Sequence, residues 1–363
     1  MTSPTREAVA RPDGVGALLR RRARALRWSA VLVVLLAASV VVAVGTGPVP
    51  VPGHEVLEVL LAALSGREPV GVGTAEAAIV RDVRAPRVLL GAVVGGGLAV
   101  CGAVLQAMVR NLLADPYVLG ISGGASTGAA AALLFGFGSA WGAGALPVSA
   151  FLGACAASAL VFLVARSAGR LTSVRLLLAG VAVGYALSAA TSFMIVASDS
   201  AEGSRSVMFW LLGSLGLARW DAVLGAAVAG VVLALVVLLV LAPRLDALAS
   251  GDDTALSLGV APERTRLLLL ALVSLTTGVL VAAAGAIGFV GLVVPHLARR
   301  LVGSVHRQVL PVAALLGAVL LVWADVLART AMAPRELPIG IITALAGAPF
   351  LLLLVRRMHA QHS

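Results

Sequence analysis

Lysine is absent from this sequence, and all 27 basic residues are arginine. Charge of either sign is scarce, at 12% of 363 residues, where a soluble domain carries about 25%. With 60% hydrophobic residues and a mean hydropathy of +1.04, the chain has too little polar surface to clothe a water-soluble globule. The bilayer is its natural solvent. The missing lysine, beside abundant Ala, Val, Leu and Gly, points to a GC-rich genome rather than to a function. Cysteine is nearly absent too. Cys101 and Cys155 both fall inside apolar stretches, where thiols act as packing residues rather than as a disulfide or a metal site.

Other absences narrow the function. No apolar stretch carries an ionisable residue at its middle. Asp325 comes nearest, toward the outer end of its span, with Arg329 four residues on and able to pair with it on one helix face. Ion-coupled carriers and pumps need intramembrane carboxylates as relays, so the energy source lies elsewhere. The chain has no P-loop of its own. His54, His296, His306, His359 and His362 are scattered, with no HExxH or similar ligand spacing. A membrane-embedded enzyme would gather such groups at one depth. No internal repeat is evident, which disfavours inverted-repeat secondary carriers. The net charge of +10 raises nucleic-acid binding, but the arginines sit in short clusters between apolar spans, where topology accounts for them.

Spanning takes about 20 apolar residues per helix. Low-charge stretches place spans near 28–47, between Arg87 and Arg110, twice between Asp115 and Arg166 with a glycine-rich break at Gly136–Pro147, between Arg175 and Asp199, between Asp221 and Arg244, and over 267–298, 308–328 and 337–355. All read as helices, because barrel strands would alternate in polarity. The run after Arg20, Arg21, Arg22, Arg24 and Arg27 is too long for a signal-peptide core and reads as the first span. The stretch 267–298 decides the count. Two crossings there put Arg299, Arg300, Arg307, Arg356 and Arg357 on the same side as the N-terminal arginines, whereas one crossing splits them. The positive-inside rule therefore favours an all-α bundle of about ten spans with both termini cytoplasmic. The expected division is a cytoplasmic tail over 1–27, one transmembrane domain over 28–357 and a short tail over 358–363. One helix of 267–298 must be short. Segments 53–65 and 206–217 read as interfacial helices on the outer face. Glycines four apart, at Gly91 and Gly95, at Gly120, Gly124 and Gly128, and at Gly180 and Gly184, suit close helix packing.

The cytoplasmic loop 244–266 reads RLDALASGDDTALSLGVAPERTR. Its pattern predicts one short polar helix from Asp246 through Leu258, closed by Gly259 and Pro262. An ordinary solvated loop is the plain alternative.

Four blocks carry a resemblance to a known family. RAPRVLLGAVVGGGLAVCGAVLQAMVRNLLADPYVLGISGGASTGA over 84–129 resembles the signature of the permeases of ATP-binding-cassette importers for iron–siderophores, haem and cobalamin. GDDTALSLGV over 251–260 resembles that family's ATPase-facing loop. GAIGFVGLVVPHLAR over 285–299 is similar to its third signature, and Trp323–Leu354 to its closing block. Leu112 stands where the family usually has proline, and Gly123 where serine is common. The resemblance implies a non-catalytic ten-helix subunit that pairs with a second permease, identical or paralogous. ATPase subunits beneath it would hold ATP and magnesium, and a substrate-binding lipoprotein would sit above. No cofactor is implied on this chain itself. Gly251, Asp252, Asp253, Ala255, Leu258 and Gly259 are the implied coupling residues, with Ala255 and Gly259 keeping the loop slim enough for a cleft of the ATPase. Arg84, Arg87 and Arg329 are the implied contacts for carboxylates of the binding protein, with lipid-facing anchors as the plain alternative. Ferric siderophore is the expected cargo, haem and cobalamin the alternatives, and ion-coupled transport a weaker one.

Overall fold

The computed structural model describes residues 14–167 and 172–359. The expected tail residues 1–13 and 360–363, and Arg170, lie outside them. In chain order the helices are α1 Gly14–Gly45, α2 Gly53–Ser65, α3 Thr74–Ala78, α4 Ala85–Val109, α5 Ile121–Phe135, α6 Ala145–Ser167 and α7 Ser173–Val196. They continue with α8 Ala201–Leu211, α9 Ala222–Ala249, α10 Asp252–Ser257, α11 Pro262–Ala284, α12 Val290–Val302, α13 His306–Thr330 and α14 Ile339–His359. A π turn over Ile79–Arg84 joins α3 to α4, so one helical rod runs from Thr74 to Val109. No strand occurs among the described residues.

Among the described residues, seven helices are long and apolar enough to cross a membrane. With the shorter helices α5, α12 and α14 the bundle reaches the ten elements that hydropathy and charge order predict. Short α5 is preceded by a 3-10 turn over Pro116–Leu119. The stretch 267–298 does hold two helices. α12 is the short one, at 13 residues rising roughly 20 Å, less than a bilayer's ~30 Å core. The deficit is filled by an extended segment, 285–289, that enters the bundle. Its Ile287 N–H donates to Tyr117 Oη at 2.8 Å, and Phe289 adopts a left-handed φ of 69° as it turns into α12. Non-helical backbone at this depth survives because protein surrounds it.

α4 is the hub. Twenty of its 25 residues are buried, and it packs on α13, α9, α11 and α12. Close approach requires glycine at two crossings. A Cβ on Gly95 would overlap the Gly317 carbonyl of α13, and a Cβ on Gly102 would overlap Gly291 at the start of α12. Gln106 locks the second crossing, donating to the carbonyls of Gly291 and Leu292 while accepting from Arg299 Nη1 at 2.6 Å.

Two expected boundaries change. α1 begins at Gly14 rather than at the first apolar residue, so the arginine cluster is helical and continuous with the span. The predicted polar helix over 246–258 is two elements. α9 continues through Pro243 to Ala249, and α10 starts afresh after Gly251, whose φ of 116° turns the chain. Asp246 therefore belongs to α9. It ties α9 to the first turn of α13, accepting from His306 N–H at 3.0 Å with His306 Nδ1 2.6 Å away.

Candidate functional site

Two places combine charged side chains with exposed surface, one at each end of the bundle.

The cytoplasmic place is α10. Its first residue, Asp252, receives a two-pronged contact from Arg266 on α11, Nη2 to Oδ1 at 2.6 Å and Nη1 to Oδ2 at 2.9 Å. The Arg266 side chain is almost wholly buried, so the fork fixes α10 against the foot of α11. Such a planar two-bond pair sets orientation as well as distance. The helix closes with Val260 N–H on the Ala255 carbonyl, Gly259 N–H on the Leu256 carbonyl, and Gly259 at φ 75°. A left-handed glycine just past the end satisfies carbonyls that would otherwise lack donors. Between these clamps Asp253, Thr254, Leu256, Ser257, Leu258 and Gly259 face outward. Leu256 and Leu258 are 53% and 66% exposed.

Ala255 corrects an expectation. It is fully buried beneath α10, so its small size serves internal packing rather than a partner's cleft. Gly259 does face open space. In the turn between α4 and α5, Asp115 caps the 3-10 turn by accepting from Tyr117 N–H at 2.9 Å. Burial pushes its carboxyl up to about 6, partly offset by that hydrogen bond.

The outer place is the arginine set, and here the structure departs from the expected outward cationic patch. Arg84 and Arg329 are buried. Arg84 donates to the carbonyls of Val44 and Gly45 at 2.9 and 3.2 Å and of Val49 at 2.5 Å. Arg329 donates to the carbonyls of Ala43 and Thr46 at 2.6 and 2.8 Å. These acceptors lie at the C-terminal end of α1 and the turn beyond it, where a helix leaves carbonyls without partners. Two guanidinium groups therefore cap α1. Asp325 sits between arginines, with Arg329 Nε 3.1 Å from Oδ2 and Arg87 Nε 3.0 Å from Oδ1. Arg87 then forks to Glu336, two bonds of 3.0 Å. Only Glu336, half exposed, brings this network to the surface.

Sequence reasoning paired Asp325 with Arg329 but missed Glu336, 249 residues from Arg87. It also missed the Arg266–Asp252 fork, whose partners stand 14 residues apart on two different helices, with the turn at Gly259 between them. The signal for Glu336 was its standing in the short outer loop before the last span.

Beside Glu336 opens a cavity of about 1040 Å³. Its floor includes Trp210 and Leu224, and its rim carries Arg205, Arg219 and Glu336. A third feature lies on α7. Val174, Leu178, Val181, Tyr185, Ser188, Ser192 and Val196 form an exposed face at helical spacing. Among the described residues there is no cluster of three or more metal-ligating side chains.

Comparison with known proteins fits this architecture. The FecCD transport family model matches residues 32–357. The cobalamin import system permease protein of Halobacterium salinarum is 43% identical, covering 92% of this chain and 97% of its own. The Fe(3+)-citrate import system permease YfmD of Bacillus subtilis is 41% identical over 78% of this chain and 83% of its own. The hemin transport permease HmuU of Yersinia pestis is 42% identical over 78% and 84%. A solved structure described as a metal-chelate type ABC transporter, inward-facing, superposes with a TM-score of 0.79 at 32% identity, covering 91% of this chain and 98% of that one. With a family match over nine-tenths of its length and a relative 43% identical over nearly the whole of both chains, this chain belongs to the FecCD transport family.

Proposed function

We propose that this chain is the permease subunit of an ATP-driven importer that brings a ferric siderophore into the cell. At the coarser level the assignment follows from the family: a multi-pass membrane transport component of importers for iron chelates, haem or cobalamin. The observation that carries the ATP-driven mechanism is α10. A six-residue helix held by a buried arginine fork presents two leucines to the cytoplasm, and exposed apolar side chains on a fixed element mark a partner surface. The partner is an ATPase subunit that binds ATP with magnesium, and α10 passes its motion through Arg266 into α11.

A second permease copy, identical or paralogous, is supported by α7. Tyr185, Ser188 and Ser192 are poorly suited to lipid, and a facing subunit or a watered path between two copies would cover them. At the outer end the binding lipoprotein meets the surface around Glu336, Arg205 and Arg219. The cavity there is of a size to admit a chelate. A chelate cargo is supported by the solved relative described as metal-chelate type, and iron by the relative named for Fe(3+)-citrate. Relatives named for cobalamin, ferric citrate and hemin stand at 43, 41 and 42% identity, so identity does not choose among them.

The test is the double variant Leu256→Asp/Leu258→Asp, expected to insert normally, to lose co-purification of the ATPase and to abolish uptake of a radio-iron hydroxamate siderophore. Retained ATPase binding would remove α10 from the interface. Uptake of haem or cobalamin in place of the siderophore, by the unmodified protein, would overturn the cargo and leave the importer reading intact.

A further inference from the structure

We propose that the foot of α1 is a binding site for an anionic phospholipid of the cytoplasmic leaflet, with the headgroup phosphate on Arg20, Arg24 and Arg27. The site does not depend on the cargo or on the ATPase.

α1 stays helical through its arginines, so their positions around the axis are fixed. Arg20, Arg24, Arg27, Val31, Val34, Ala38 and Val42 recur at intervals of three or four residues and form one stripe. All seven are exposed. The buried positions Ala25, Leu32, Ser39 and Ala43 occupy a different face, the one turned to the bundle. The stripe is thus three guanidinium groups followed by an apolar track. From Val31 to Val42 that track rises roughly 16 Å, about half of a ~30 Å hydrocarbon core. Its shape is that of one lipid: charge for a phosphate at the interface, then hydrocarbon for one leaflet's acyl chain.

Neighbouring helices add charge of the same sign. Trp323 Nε1 donates to Ser39 Oγ, and Arg329 donates to the Ala43 carbonyl, so α1 and α13 run parallel and in register. That register brings Arg307, in the first turn of α13, level with Arg22. α12 occupies only the inner part of the bundle and also packs on α1, with Arg300 exposed near its end. Among the described residues, Arg20, Arg21, Arg22, Arg24, Arg27, Arg300 and Arg307 form no ion pair. Asp246 of α9, in contact with the first turn of α13, is engaged by His306. The positive-inside rule explains why arginines lie on this side. It does not require them to line up with an exposed apolar track. An acidic protein surface would satisfy the arginines but not Val31 through Val42, and only a lipid supplies phosphate and hydrocarbon together.

Trp28 adjoins the stripe, half-buried against the bundle, and reports on it. The purified protein is placed in phosphatidylcholine nanodiscs containing a small fraction of phosphatidylglycerol with brominated acyl chains. The Trp28 contribution is taken as the difference from Trp28→Phe. Quenching is expected to correspond to a local enrichment of about five-fold or more over the bulk fraction, since each arginine near an anionic surface attracts it substantially. Brominated phosphatidylcholine should show no enrichment. Arg20→Gln/Arg24→Gln/Arg27→Gln should bring quenching down to the bulk value, and the corresponding triple lysine variant should retain it. If the glutamine triple fails to insert, Arg24→Gln alone should give a partial loss. Quenching at the bulk fraction in the unmodified protein, or unchanged in these variants, overturns the site. So does its abolition by excess inorganic phosphate, which would mark a phosphate site without lipid. A triple variant that loses the ATPase while quenching persists would assign the cluster to that protein instead.

Discussion

The outer and inner ends of the bundle use the same side chain in opposite ways. At the outer end, Arg84, Arg87 and Arg329 turn inward, and their donors go to α1 carbonyls, Asp325 and Glu336. At the inner end, Arg20, Arg24 and Arg27 point away from the protein, and one buried arginine, Arg266, holds a half-exposed carboxylate. Location relative to the membrane does not decide which role an arginine takes. What decides is whether unsatisfied acceptors lie within reach. The C-terminal end of α1 offers several carbonyls beside the mouths of α4 and α13, and a buried carbonyl without a donor is expensive.

The comparison is broken most strongly at Asp325, which is 2% exposed between Arg87 and Arg329. Asp325→Ala leaves two guanidinium groups short of their counter-charge, and losing one partner of a buried pair costs about 3–5 kcal/mol. A large drop in the thermal midpoint of the purified protein is expected. A drop no greater than that of a surface variant would mean that water reaches the network.

Arg84→Ala removes donors from three carbonyls. The Arg84 guanidinium packs against Gly47 closely enough that a Cβ there would overlap it, so the variant also leaves a void. About 2–3 kcal/mol is expected. Limited proteolysis near residues 46–52 should speed up, while ATPase binding stays the same. Loss of binding-protein capture without loss of stability would restore the outward role.

At the inner end Asp252→Ala should be milder, about 1–3 kcal/mol, because it strands one guanidinium rather than two and, with Asp252 39% exposed, its removal opens Arg266 to water. Its signature is functional: weaker ATPase co-purification with the bundle intact. An equal loss of stability to that of Asp325→Ala would erase the contrast between the two ends.

Asp115 supplies a pH test. Its carboxyl is raised by burial to about 6, against an unfolded value near 3.9. The folded state therefore holds the proton more tightly. Its contribution favours folding below about pH 4 and diminishes as pH rises through about 6. Asp115→Asn keeps an acceptor for Tyr117 N–H and removes the titration. Relative to the parent it should gain stability above pH 7, on the order of 1–3 kcal/mol, and lose that advantage near pH 4. A constant difference across this range would show that Asp115 is solvated.

The smallest effect belongs to Glu336→Gln. Its carboxylate is half exposed, and surface pairs contribute about 0–1 kcal/mol. A larger loss would mean that the pre-α14 loop depends on Arg87.

Much of this was legible in the linear chain. The spans, the split of 267–298 and the inner side of the arginine clusters follow from hydropathy and charge order, because a bilayer imposes both locally. The polar pattern announced one short helix over Asp246–Leu258; only its second half, Asp252–Ser257, forms a separate helix, and Asp246 belongs to α9. Gly251 was read as part of the motif rather than as the point where the chain turns.

Sequence alone determined that the protein is an all-helical membrane bundle of about ten spans. These properties depend on the transfer of each segment from water to hydrocarbon, and each segment carries that free energy itself. Only the tertiary structure decided that Arg84 and Arg329 cap α1, that Arg266 fixes α10, that Ala255 is buried, and that Arg20, Arg24 and Arg27 have no ionic partner among the described residues. A hydrogen bond needs a donor and an acceptor within about 3 Å. The partners here lie 14 to 286 residues apart, and packing against α4 and α13 is what brings them together.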